Sequence, residues 1–145
     1  GAPYDDKIVY NFHCYDPLIF THQKAYWVPG MPADFEMSYP APLEVYRKES
    51  EKFPKEMMGA IYHEKLSTIG PEYFETLFED AIAAAEKYNV PLYCGEYGVI
   101  ELAPKDDTKR WLADIHSVLE KHGIGRAVWN YKGKDFGIID SDYGF

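Results

Sequence analysis

The chain has 145 residues, 46% hydrophobic and 17% aromatic, with 24 acidic against 15 basic side chains for a net charge of −9. That is one domain's length, and an ample apolar share with both charge signs excludes a disordered acidic tail or a collagen-like chain. No basic run exceeds two residues, which excludes a nucleic-acid partner, and no apolar stretch approaches the ~20 residues that span a membrane.

The opening Gly1-Ala2-Pro3 carries no basic and apolar leader and reads as the edge of a processed or excised segment. Ile8 to Tyr15, β-branched and aromatic and stopped by Asp16-Pro17, predicts a buried strand. The connection from Asp16 to Ile69 is far longer than the ~2–6 residues usual between strand and helix. Its prolines predict mostly irregular chain with one short helix around Lys55 to Leu66. Its aromatics, among them Phe20, Tyr26, Trp27, Tyr39, Tyr46 and Tyr62, are expected to build a binding surface.

Gly70-Pro71 opens a helix with proline at its first position and Glu72 and Glu75 placed to complement the dipole. Phe74, Leu77, Phe78, Ala81, Ile82, Ala85 and Tyr88 form its apolar stripe, and Asn89 ends it. Val90 to Cys94 is the second strand, running into Gly95-Glu96-Tyr97-Gly98. Asp106-Asp107-Thr108 offers capping side chains for a second helix, striped by Trp111, Leu112, Ile115, Val118 and Leu119 and stopped at Gly123. Arg126 to Tyr131 is the third strand. Strands alternating with amphipathic helices predict an α/β fold with parallel pairing and right-handed crossovers. Three such strands alone leave both outer edges unpaired, so the fold reads as part of a larger sheet.

Alternation along the strands puts His13 and Tyr15 on one face, Phe12 and Cys14 on the other, Cys94 with Glu96, and Trp129 with Tyr131. Glu96 stands at a strand end between Gly95 and Gly98, where small neighbours admit a substrate or backbone. A carboxylate there suits a nucleophile, a base or a metal ligand, or an ordinary solvated residue. His13 suits a core histidine or a partner to that carboxylate; Trp129 suits core packing or a platform for the apolar face of a sugar. His22 and His63 lack metal-ligand spacing and read as surface polar residues. Lys132-Gly133-Lys134-Asp135 reads as a solvated turn. Cys14 is expected to point away from the site and Cys94 towards the interior, so no disulfide joins them.

Taken in order, Val9-Tyr-Asn-Phe-His-Cys-Tyr15, Phe20-Thr-His-Gln23 with Trp27, Leu92-Tyr-Cys-Gly-Glu-Tyr-Gly-Val99 and Ala127-Val-Trp-Asn-Tyr-Lys132 resemble the C-terminal part of glycoside hydrolase family 5, nearest to its bacterial endoglucanases. The resemblance implies strands six to eight of a (β/α)8 TIM barrel, with residues 1–145 forming a partial catalytic domain, incomplete as a single chain, with a long loop over 16–70. It implies Glu96 as nucleophile, His13 and Tyr15 as the pair beside it, Trp129 as a sugar platform, and Trp27 and Lys132 as further substrate contacts. The family's acid/base closes strand four in an Asn-Glu dipeptide, whereas the asparagines here precede Phe12, Val90 and Tyr131.

The expected activity is that of a retaining endo-β-1,4-glucanase fragment, acting on β-glucan or cello-oligosaccharide with no metal and no cofactor. Secretion follows from the polymeric substrate. The expected partner is the N-terminal barrel portion or a second copy joined through the strand edges. The alternatives are a glucan-binding module without catalysis, another β-glycanase acting on mannan or xylan, and a small flavodoxin-like domain.

Overall fold

The computed structural model describes residues 2–63 and 65–138, except the side chains of Tyr62 and His63. The three predicted strands form: β1 (Tyr10–Cys14), β2 (Leu92–Tyr97) and β3 (Gly125–Val128). They pair in parallel in the order β1-β2-β3. The third is shorter than its apolar run suggests, ending before Trp129, where a cis Trp129–Asn130 peptide carries the chain into a turn.

Two long helices make the crossovers. The first of them, α3 (Pro71–Tyr88), starts with proline at its N-terminus and ends at Asn89, whose φ of +51° is a left-handed conformation that asparagine tolerates. The second, α4 (Lys105–Lys121), has the predicted apolar stripe. Both cover the same face of the sheet: Phe12 packs on Phe78 at 4.8 Å between ring centroids, and Tyr97 stacks on Trp111 at 6.5 Å. Phe74 meets Trp111 edge-on at 5.7 Å, so strands and both helices share one aromatic core. Among the described residues, no helix is long and apolar enough to cross a membrane.

The expected N-caps of α4 act elsewhere. Pro104 holds the cap position without a side-chain bond. Asp107 is buried and accepts the Tyr39 N–H at 2.9 Å, while Thr108 Oγ1 donates to the Pro104 carbonyl at 3.0 Å. Arg110, paired with Asp107, donates from Nε to the Tyr39 carbonyl at 3.1 Å, and Tyr39 Oη donates to Asp114 at 2.7 Å. Tertiary anchoring of the long connection has taken the groups that local capping would use.

That connection is more ordered than its prolines suggest. It contains α1 (Leu18–Thr21), α2 (Leu43–Ser50) and a 3₁₀ segment (Lys55–His63) broken at Gly59. Sequence periodicity misses α2 because eight residues carry only Leu43 and Tyr46 as large buried anchors among charged neighbours. Gln23 is fully buried and satisfied at both ends: Nε2 donates to the Phe20 and Met37 carbonyls, and Oε1 accepts the Met37 N–H. Phe20, Tyr39 and Tyr46 lie in the core rather than on a binding surface, correcting the expectation for most of this aromatic run. Tyr26 and Trp27 do reach solvent, at 85% and 40% exposure. Tyr62 and His63 lie outside the described side chains.

Glu75 does not sit in the first turn as a dipole partner. It bridges α3 to α4, with Lys121 Nζ 2.5 Å from Oε1 and His122 Nε2 2.6 Å from Oε2. The Lys121 hydrogen bond foremost, then that from His122, holds its carboxyl below the usual carboxylate range. A depressed acid contributes stability above its unfolded pKa of ~4.3 and loses it as pH falls through the lower folded value. Glu75→Gln should therefore be less stable at pH 7 by the ~0.2–1 kcal/mol typical of exposed ion pairs. The gap should close on acidification below pH ~4; urea midpoints of both proteins across that range measure it.

Candidate active site

The C-terminal ends of β1 and β2 carry the chemistry, and a bulge aims it. Phe12 pairs with Cys94 and the next residue, His13, pairs with Glu96, so β2 has one residue more than β1 between these pairs. The same extra residue appears against β3, where Cys94 and Tyr97 face Arg126 and Val128. Gly95 occupies the bulge, and its N–H, displaced from the ladder, donates to Asn11 Oδ1 at 2.9 Å.

The bulge changes which side chains share a face. Cys94 and Tyr97 both point into the helix-covered core, and Glu96 turns to the open face with His13. The expected pairing of Cys94 with Glu96 on one face is therefore wrong, because simple alternation fails across an inserted residue. Cys94 lies with Cys14 in the core, and both thiols are free. Burial pushes the Cys94 thiol up to about 12 and Cys14 well above the ordinary range, so neither is a nucleophile at neutral pH.

Glu96 is held from two sides. Tyr15 Oη donates to its Oε2 at 3.0 Å, and His13 Nδ1 lies 3.6 Å from the same oxygen. Among the described residues Oε1 accepts no hydrogen bond. The carboxylate side chain is 33% exposed and His13 47%, which leaves the pair open to a ligand. Burial, then the Glu96 hydrogen bond, raises the Tyr15 pKa far above the ordinary phenol range, so Tyr15 keeps its proton and donates throughout.

An aromatic wall backs Tyr15. His22 and Phe136 each meet its ring edge-on at 5.6 Å, and Trp27 lies 6.1 Å from His22 and 6.2 Å from Phe136. His22 is therefore not a surface polar residue: burial lowers its pKa to about 4, and its Nδ1 lies 2.9 Å from Thr21 Oγ1. Phe136 was invisible to sequence reasoning because it lies beyond the third strand in a turn with no periodic pattern. Its place depends on its N–H donating to Glu101 at 2.8 Å and its carbonyl accepting from the Asn130 N–H at 3.1 Å.

Trp129 stands one strand over from Glu96, half exposed, anchored by its N–H to the Tyr97 carbonyl at 2.8 Å. Gly98 makes room for it: a Cβ there would strike the Trp129 carbonyl oxygen. Gly95 likewise leaves no space for a substrate, since a Cβ would strike the Asn11 amide. These glycines serve backbone and side-chain packing around Glu96. Lys132 is exposed in the turn after Trp129 and makes no hydrogen bond or ion pair among the described residues. The structure thus brings together Glu96, Tyr15 and His13, connects Trp27 to them through rings, sets Trp129 nearby, and leaves Lys132 apart. Among the described residues, no group of three His, Cys, Asp or Glu side chains could hold a metal ion.

The chain is similar to known proteins along nearly its whole length. The family profile described as Cellulase (glycosyl hydrolase family 5) matches residues 2–135. Cellodextrinase A of Ruminococcus flavefaciens is 42% identical over 87% of this chain, and Endoglucanase C of Acetivibrio thermocellus 41% identical over 95%. The chain spans 30% and 40% of the lengths of these two relatives. Among solved structures, the cellulose synthase subunit Z of Clostridioides difficile superposes with a TM-score of 0.67 at 23% identity, covering 95% of this chain and 37% of that one. A hyperthermophilic endo-β-1,4-glucanase in complex with substrate gives 0.66 at 25%, covering 94% and 36%. The three parallel strands and their helices are thus the C-terminal βαβαβ portion of a TIM barrel, and a flavodoxin-like domain is ruled out. With the profile covering nearly every residue, this chain belongs to glycosyl hydrolase family 5.

Proposed function

We propose that this chain carries the nucleophile side of a retaining β-1,4-glucanase site. The observation that carries the reading is the Glu96 carboxylate on the open sheet face, with one oxygen held by Tyr15 at 3.0 Å and the other without a hydrogen bond among the described residues. Retaining hydrolysis needs one carboxylate to attack the anomeric carbon and a second carboxyl ~5–5.5 Å away to protonate the leaving oxygen and later activate water. Glu96 Oε1 forms the bond to the anomeric carbon while the glycosidic C–O bond breaks. Tyr15, held neutral, donates to Oε2 before and after Oε1 becomes the ester oxygen. Water then releases the sugar and restores the carboxylate.

The second carboxyl comes from another part of the barrel, since this chain has no Asn-Glu dipeptide. Among the described residues β1 and β3 are the edge strands through which that part, or a second copy, would pair. Trp129 and Trp27 offer exposed indole faces for sugar rings, and Lys132 a donor for a hydroxyl. The β-1,4-glucan assignment rests on relatives named as endoglucanases and a cellodextrinase, and an extracellular site of action is inferred from the polymeric nature of that substrate.

A 2-deoxy-2-fluoro-cellobioside with a dinitrophenolate leaving group tests this, because an activated leaving group departs without an acid. Incubation with the chain should add one fluorocellobiosyl group to the peptide containing Glu96, read by mass spectrometry. Binding of cello-oligosaccharide with no covalent label would instead favour a glucan-binding module.

A further inference from the structure

We propose that Asn11 is a positioning residue that fixes the tautomer of His13, through the juxtaposition of its amide with the Gly95 N–H on one side and the His13 ring on the other. The role of this tautomer in catalysis rests on the reading of Glu96 as nucleophile; the tautomer itself does not.

The argument begins at the bulge. Gly95 is the extra residue of β2, and its N–H can only donate, so the Asn11 atom 2.9 Å away is the carbonyl oxygen Oδ1. That contact settles the orientation of the amide, which is otherwise ambiguous for an asparagine. The other end of the amide, Nδ2, then faces His13 Nε2 at 3.4 Å. An amide nitrogen has only hydrogens to offer, so Nε2 must present its lone pair. A neutral ring with a lone pair on Nε2 carries its proton on Nδ1.

Nδ1 is the ring atom that lies 3.6 Å from Glu96 Oε2. In the fixed tautomer an N–H dipole points at the carboxylate oxygen that Tyr15 already holds. In the opposite tautomer a lone pair would face a carboxylate and an N–H would face an NH2, two repulsions in place of two attractions. Asn11 therefore turns the His13 N–H toward the Oε2 that Tyr15 already holds, and Oε1 is left as the attacking oxygen. Gly95 is needed for the same reason, since any Cβ there would displace the amide.

The test is the tautomer, read from long-range 1H–15N correlations of the 15N-labelled chain at pH ~9, above the ordinary imidazole range. The His13 ring is assigned by its loss in His13→Gln. Wild type should show the Nδ1–H pattern. Asn11→Asp retains an oxygen for the Gly95 N–H but has no donor for the ring, and His13 should switch to the Nε2–H pattern while the Gly95 amide stays protected from exchange. A wild-type ring in the Nε2–H form overturns the proposal, as does an unchanged Nδ1–H pattern in Asn11→Asp. Should that variant fail to fold, the wild-type spectrum decides alone. Since no substrate is involved, failed labelling of Glu96 would sink the glycosidase reading without moving this result, and a wrong tautomer would leave the labelling intact.

Discussion

Glu96→Gln should abolish covalent labelling by the fluorocellobioside and reduce hydrolysis of an aryl cellobioside by on the order of 10⁴-fold or more, the scale seen when a nucleophile is removed. An amide fills the same volume and can still accept from Tyr15, so the fold and the sugar affinity should persist while the attack fails. Tyr15→Phe separates the nucleophile from its support. It removes one hydrogen bond to a charged group, worth ~1.5–3 kcal/mol, and so should slow labelling roughly ten- to a hundredfold while keeping the label on the same residue. Comparable labelling rates for wild type and Glu96→Gln would refute the assignment.

The contrast between these variants follows from the geometry. Glu96 touches the reacting carbon in the proposed step; Tyr15 touches only the oxygen that does not attack. Its hydroxyl at 3.0 Å and raised pKa make it a donor at every pH where the enzyme would work. A pH profile of labelling should therefore show no limb from Tyr15 ionisation.

Much of this was legible in the sequence, for identifiable reasons. Helices α3 and α4 announce themselves because long runs with a 3.6-residue stripe leave one geometric solution. The ordered motifs around His13, Glu96 and Trp129 give the family, and with it the barrel and the expectation that Glu96 is the nucleophile. What sequence periodicity hides is any place where the period changes. One inserted residue at Gly95 reverses the faces of Cys94 and Glu96, and no composition rule marks it. Asn11 carries no sequence signal for the same reason: it is one polar residue in a strand until the bulge gives its amide a partner. The long connection failed differently. Asp107 and Tyr39 are 68 positions apart, so the contact that takes a capping residue away from its own helix is invisible locally. His22 looked like a surface residue until α1 and the turn holding Phe136 closed around it.

The stability of the site has its own anchor, and Trp111→Ala is the substitution that should expose it. Trp111 is fully buried on α4, edge-on to Phe74 of α3 and stacked on Tyr97 of β2. Its Nε1 donates to the Asp16 carbonyl at 3.0 Å, just past Tyr15. One side chain thus joins both crossover helices, the central strand and the exit of β1. Truncation to alanine should cost about 3–5 kcal/mol, as for other buried large aromatics, and leave the Asp16 carbonyl without its donor. Against the ~5–15 kcal/mol total typical of a small domain, that is a large fraction. Trp111→Phe keeps most of the packing and loses only the hydrogen bond, so it should lie between wild type and alanine. Denaturant midpoints at constant m-value measure both. A midpoint for the alanine variant equivalent to less than about 1 kcal/mol of loss would show that the four elements hold together without this residue. The expected order, wild type above Phe above Ala, should recur in the rate of Glu96 labelling, because the same carbonyl that Trp111 grips precedes the loop leading to His22 and follows the tyrosine that holds Glu96.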